Sequence, residues 1–178
     1  MGQIIFGLLV LSSALIAYPA SAQPTSYPTN ACDNPAAKFD VTPSTAASPS
    51  LPETGKALVI FVEKDLTTTW TTPSTLVGVD GRWIGATHGN SNFFFSVDPG
   101  IHHVCALTKF GGMDGEEVAL MHFTAEAGGI YYLEGRNTRV AGSGLSNDLV
   151  DVSLFQIDVD EGNFLSANTT LVTSQRKK

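Results

Sequence analysis

The sequence predicts an all-β protein: an Ig-like β-sandwich of about seven to eight mostly antiparallel strands, preceded by a signal peptide and a flexible arm. Three observations predict it. From Lys56 onward, short apolar or alternating segments recur at a spacing of about 8–12 residues. Turn-forming dipeptides separate them, above all Asp80-Gly81 and Pro99-Gly100. Helix signals are few, and the best candidate, residues 116–127, runs into Gly128-Gly129 and "IYYL", which favours a hairpin.

The order of segments begins with export. Residues 4–17, "IIFGLLVLSSALIA", form an apolar run that ends shortly before Ala20-Ser21-Ala22. An apolar run followed by an A-x-A site is the pattern of a cleaved signal peptide, so residues 1–22 are expected to be removed and the mature chain to begin at Gln23. The run is shorter than the roughly 20 residues of a comfortable membrane span, and no membrane insertion is expected after cleavage. The first charged side chain is Asp33, so the leader lacks the usual Lys or Arg, and an uncleaved anchor is the alternative. No cysteine directly follows the run, so a lipid anchor is not indicated.

Export changes the meaning of the two cysteines. In an oxidising compartment a pair of cysteines implies a disulfide, whereas in the cytosol it would imply reactivity or metal. A Cys32–Cys105 bond would tie the N-terminal segment to the core. In the chain-entropy model it contributes about 3–4 kcal/mol.

Residues 23–54 are rich in Pro, Ser, Thr and Ala and are expected to be a linker or arm, with "AKFDV" (37–41) as a possible added strand. The sandwich is expected over 55–165 and a tail over 166–178. "KALVIFVEKD" (56–65) is nearly all apolar and short, as a buried central strand requires. Strands near 75–79 and 82–87 should pair around Asp80-Gly81, the dipeptide that best fits a tight hairpin turn, because Gly accepts positive φ. In "NFFFSVD" (92–98), alternation puts Phe93, Phe95 and Val97 on one face and Phe94 on the other. "DPG" then turns the chain into "IHHVCALTKF" (101–110). Further strands are expected at 116–127, 130–137 and 149–162, the last with Phe155, Ile157 and Val159 alternating.

The chemistry-bearing residues give little. The net charge of -7 disfavours nucleic acid and anionic membrane surfaces. In a regular strand His103 and Cys105 share one face, and His102 shares the other with Val104 and Ala106. The adjacent histidines therefore cannot both reach one ion, and a closed zinc site needs about four ligands. No metal site and no cofactor are expected; the alternative uses His103, His102 or His122. "DVDEGN" (158–163) starts like a calcium loop but lacks its later ligands. Glu116 and Glu117 diverge in a strand. The Gly-rich "AGSGLSND" lacks a phosphate-loop Lys, and no nucleophile-elbow motif occurs. Trp70 and Trp83 suit a core better than a ligand patch. No catalytic residues are assigned.

Several segments stand together in a familiar order: "GKALVIFVE", "VGVDGRWIGATHGNSNFFFSVDPGIHHVCA", "FTAEAGGIYYL" and "VDEGNFLSAN". This arrangement, over roughly residues 55–165, resembles an uncharacterised bacterial envelope family catalogued as domain of unknown function 2846. The matching block carries Val79, Asp80, Gly81, Gly85, Pro99, Gly100 and His102. The resemblance implies an exported β-sandwich with no established reaction. Asp80, Gly81, Pro99 and Gly100 match its structural turns. The expectation is a non-enzymatic periplasmic or secreted protein that binds an envelope protein or surface component. A periplasmic metal- or small-ligand-binding protein is the alternative.

Overall fold

The computed structural model describes residue 32 and residues 37–47, 51–65, 72–110, 113–114, 118–140 and 149–178. The expected leader, Trp70, the Glu116-Glu117 pair and the Gly-rich "AGSGLSND" lie outside them.

Eleven strands and one helix form among the described residues. In chain order they are β1 (Phe39–Pro43), β2 (Ala57–Asp65), β3 (Ser74–Val79), β4 (Arg82–His88), β5 (Ser91–Val97), β6 (Gly100–Phe110), β7 (Met113–Asp114), β8 (Ala119–Ala125), β9 (Ile130–Val140), β10 (Leu149–Ile157), α1 (Val159–Ala167) and β11 (Thr170–Arg176). One sheet runs β1-β11-β5-β2-β9-β10; the other runs β4-β3-β6, with β7 and β8 both paired to β6. Most pairs are antiparallel. Two are parallel, β2 with β9 and β5 with β11. The protein is an all-β sandwich.

Alternation explains the layers. Val59 and Phe61 of β2, Leu133 of β9 and Phe93 and Val97 of β5 point inward, where they meet Val77, Val104 and Phe123 of the second sheet. The opposite parity of β2 (Leu58, Ile60 and Val62) faces outward and packs with Tyr132 under Leu165 of α1. The apolar run of β2 is thus buried on both faces, by a sheet on one side and a helix on the other.

Four expectations change. Residues 116–127 and 130–137 do not form a hairpin: β8 pairs with β6 in one sheet and β9 with β2 and β10 in the other, so Gly128-Gly129 carries the chain across the sandwich. The segment 149–162 does not remain a strand to its end. β10 stops at Ile157, and Asp158 caps α1 by accepting a hydrogen bond from the Glu161 backbone N–H at 2.9 Å. Asp160 and Glu161 sit in the first turn, where acidic side chains complement the helix dipole. "DVDEGN" is therefore a helix start, not the continuation of the strand expected over 149–162. The inward face of β10 is Val150 and Val152; Phe155 is turned out beneath the Arg136 guanidinium, 4.5 Å from its ring centre. Finally, the expected tail at 166–178 contains β11, which lies between β1 and β5 and buries Val172. β1 itself forms within the expected arm and pairs with β11 from Phe39↔Arg176 to Pro43↔Val172.

Candidate functional site

The β3–β4 hairpin turns at Asp80 (φ 50°) and Gly81 (φ 82°), both in the left-handed region that this tight turn demands. The turn carries Asp80 back to β6. Its Oδ1 accepts the His103 backbone N–H at 2.9 Å and its Oδ2 meets Nδ1 of buried His102 at 2.7 Å. The other ring nitrogen of His102 contacts the Asp98 carbonyl oxygen at 2.6 Å. Neither a carboxylate nor a carbonyl can donate, so both ring nitrogens must. His102 is an imidazolium clamped between two turns. Burial works against its charge, but the Asp98 carbonyl and the Asp80 carboxylate outweigh burial and raise its pKa above the ordinary value. Asp80 is shifted the opposite way: burial opposes ionisation, and the hydrogen bonds from His102 and the His103 backbone overcome it and lower its pKa.

An open cleft of about 370 Å³ adjoins this clamp. Ile84, Phe95 and Val97 contribute apolar walls, and Lys56, Arg82 and Asp98 bring charge. Lys56 lies 3.9 Å from exposed Asp98. The cleft pairs an apolar floor with a rim of mixed charge, Lys56 and Arg82 beside the carboxylates of Asp80 and Asp98.

A second polar cluster is sealed between the sheets at the opposite end. Glu63 follows Val59 and Phe61 on the inward face of β2 and is fully buried. Asn137 of β9 donates its amide to Glu63 Oε1 and, at 3.0 Å, to Thr75 Oγ1, and accepts from Thr108 Oγ1 at 2.7 Å. Glu63 Oε2 is buried without a hydrogen-bond partner. Burial pushes the Glu63 carboxyl up to about 8, with Asp65 adding to the effect and the Thr87, Thr75 and Asn137 groups opposing it. Glu63 is accordingly a neutral acid at pH 7. Sequence reasoning passed over it, although its parity with Val59 and Phe61 marks it as inward-facing.

Cys32 and Cys105 form the disulfide, with Cα atoms 6.3 Å apart. Cys105 lies on the outer face of the second sheet, beside Leu76, Trp83 and Leu107, and Ala37 and Phe39 close over the same cluster. Gly78 sits directly opposite Cys105 in the register. A Cβ on Gly78 would run into both sulfur atoms, so a side chain there is incompatible with the bond. Cys105 is thereby removed from any metal chemistry.

The remaining histidines separate as alternation dictates. His103 is exposed on the outer face, and His122 of β8 stands directly opposite it. His88 lies at the far end of β4, with Nδ1 2.9 Å from Ser74 Oγ. Pro99 and Gly100 (φ 141°) make the turn that delivers Asp98 to His102. Among the described residues no group of three or more His, Cys, Asp or Glu is placed to hold a metal ion, and no helix is long and apolar enough to cross a membrane.

No protein-family model matches the chain, nor does any curated protein or solved structure.

Proposed function

We propose that this chain is an exported, non-enzymatic envelope protein that works by binding, and that the cleft beside His102 is its recognition surface. The observation that carries this reading is the commitment of the polar groups there. Both oxygens of Asp80 and both nitrogens of His102 hold the hairpin and the β5–β6 turn in place. A histidine that donates from both nitrogens has no lone pair with which to take a proton. What the cleft offers is shape, an apolar floor, and the charges of Lys56 and Arg82. The disulfide favours an oxidising compartment, periplasmic or extracellular, and the leader-like N-terminus and the resemblance to the envelope family point the same way. The partner is an envelope protein or surface component that presents apolar surface to the floor of the cleft and an anionic group to Lys56 and Arg82.

The test is chemical-shift mapping of the isotopically labelled protein against solubilised envelope fractions. Line broadening is expected at Val79–Arg82 and at Ser96–His102, and it should weaken in a Lys56→Glu, Arg82→Glu double variant. Broadening confined to other strands, or unaffected by the double variant, would count against the cleft. Turnover of any component by the protein would count against a binding role.

A further inference from the structure

The cross-strand pair of His103 and His122 has a geometry of its own. The backbone of His103 turns toward β3: its N–H donates to Asp80 Oδ1 at 2.9 Å and its C=O accepts the Asp80 N–H at 2.8 Å. In an antiparallel ladder a residue's N–H and C=O point to the same side. His103 and His122 are therefore a non-hydrogen-bonded pair, the kind in which facing side chains lie closest. Both rings are exposed on one face, with centres 6.3 Å apart. On the same face stand exposed Ile101 and Leu120, which offer no ligand, exposed Thr124 and disulfide-bonded Cys105. The nearby Asp80 carboxylate is engaged by His102 and by the His103 backbone.

We infer that His103 and His122 form a two-nitrogen chelate for a borderline divalent transition ion, Cu²⁺ ahead of Ni²⁺ and Zn²⁺. Imidazole suits these ions, and the order follows from their intrinsic affinity for nitrogen donors. A metal–nitrogen bond of about 2.0–2.1 Å places each ring centre about 3 Å from the ion, so exposed side-chain torsions need to close the pair only slightly. The backbone is already set by the strand pairing. His102 takes no part, because it points to the other face and both its nitrogens are engaged. With two ligands from the chain, the ion keeps open positions for water or for a donor from another molecule. The site is separate from the cleft and does not depend on the binding role assigned to it.

Cu²⁺ titration of the full chain in a weakly coordinating buffer tests this, by calorimetry and by electron paramagnetic resonance. One ion per chain is expected, with nitrogen couplings from two imidazoles. His103→Ala and His122→Ala should each weaken binding by about 100-fold, since each turns a chelate into a single tethered ligand. His122→Gln should give the same loss, and His88→Ala should leave the affinity unchanged. The inference is overturned if no stoichiometric ion binds, if His122→Ala binds as tightly as the parent, or if His88→Ala removes the site.

Discussion

Glu63 is a carboxyl group in a place where water cannot reach it, and its proton is held more tightly in the folded chain than in the unfolded one. A carboxyl pKa raised by folding means that the folded state binds more protons above the unfolded value, so stability falls as pH rises. The window runs from the ordinary value of 4.5 to about 8. Across it the parent loses stability steadily as the buried carboxyl gives up its proton. Glu63→Gln keeps the shape and removes the titration. Urea unfolding near pH 5 and near pH 9 should show the parent losing more stability than the variant over that range. Equal losses in both would mean that Glu63 does not hold its proton. Asp80 and His102 behave differently, because each stabilises the charge of the other. The contribution from raised His102 is present below its unfolded pKa and is lost as pH rises through its folded pKa. That from lowered Asp80 is lost as pH falls through its own folded pKa. Asp80→Asn retains a side chain that tolerates positive φ while deleting the charge. It should cost about 1–2 kcal/mol near pH 6 and less near pH 9, as read by denaturant midpoints. A cost that does not change with pH would show that the clamp is not ionic.

At the scale of elements, β6 shows how far the sequence carries. Its alternation separates His102 from His103 and places Cys105 with His103, and the structure shows these faces. The sequence does not say what stands across from them. Asp80 reaches His102 only because β3 pairs with β6, with Val79 opposite Val104. His122 meets His103 only through the β6–β8 register. Such partners are separated along the chain and depend on pairing choices that no local pattern encodes. Helix α1 was legible in principle. Asp158 followed three residues later by Glu161 is a helix-start signature, yet the alternation of Phe155 and Ile157 runs straight into Val159 and masks it. Tertiary packing decides the outcome. Gly162 lets the helix lie against the Tyr132 ring, Asn163 accepts the Tyr132 hydroxyl at 2.7 Å, and Leu165 covers the outer face of β2. Asp158→Ala should cost about 1 kcal/mol by removing the cap. Gly162→Ala should cost more than a helix-propensity scale predicts, since that scale favours alanine by about 1 kcal/mol. Thermal melts of the two variants distinguish these cases, and a stabilised Gly162→Ala protein would mean that the helix does not rest on Tyr132.

The whole molecule is a sandwich whose N-terminal segment serves both sheets. Cys32 and Ala37 sit on the outer face of the second sheet, and within a few residues β1 joins β11 at the edge of the first. Nearby, Ser174 Oγ of β11 accepts the Ala86 backbone N–H of edge strand β4 at 2.7 Å, which links the two sheets and satisfies a donor that an edge would leave open. A disulfide spanning 73 residues holds this arrangement in the unfolded chain as well as in the folded one. In the chain-entropy model a loop of that size contributes about 4 kcal/mol. Replacing both cysteines by serine should lower stability by roughly that amount and loosen β1 and β11 first, which hydrogen exchange of the β1–β11 amides would show. The composition near Cys32 suggested an arm, with "AKFDV" (37–41) as the one segment able to add a strand, and β1 forms there. The strand that follows forms because β11 supplies a partner from the far end of the chain.

Export is proposed, and the disulfide from the N-terminal segment to the core is the feature that ties the proposal to the fold. The most direct measurement is a thiol count on protein taken from its native cell, denatured without reductant and with free thiols blocked at lysis. No free thiol from Cys32 or Cys105 is expected until reductant is added, and then two. Two free thiols before reduction would contradict it.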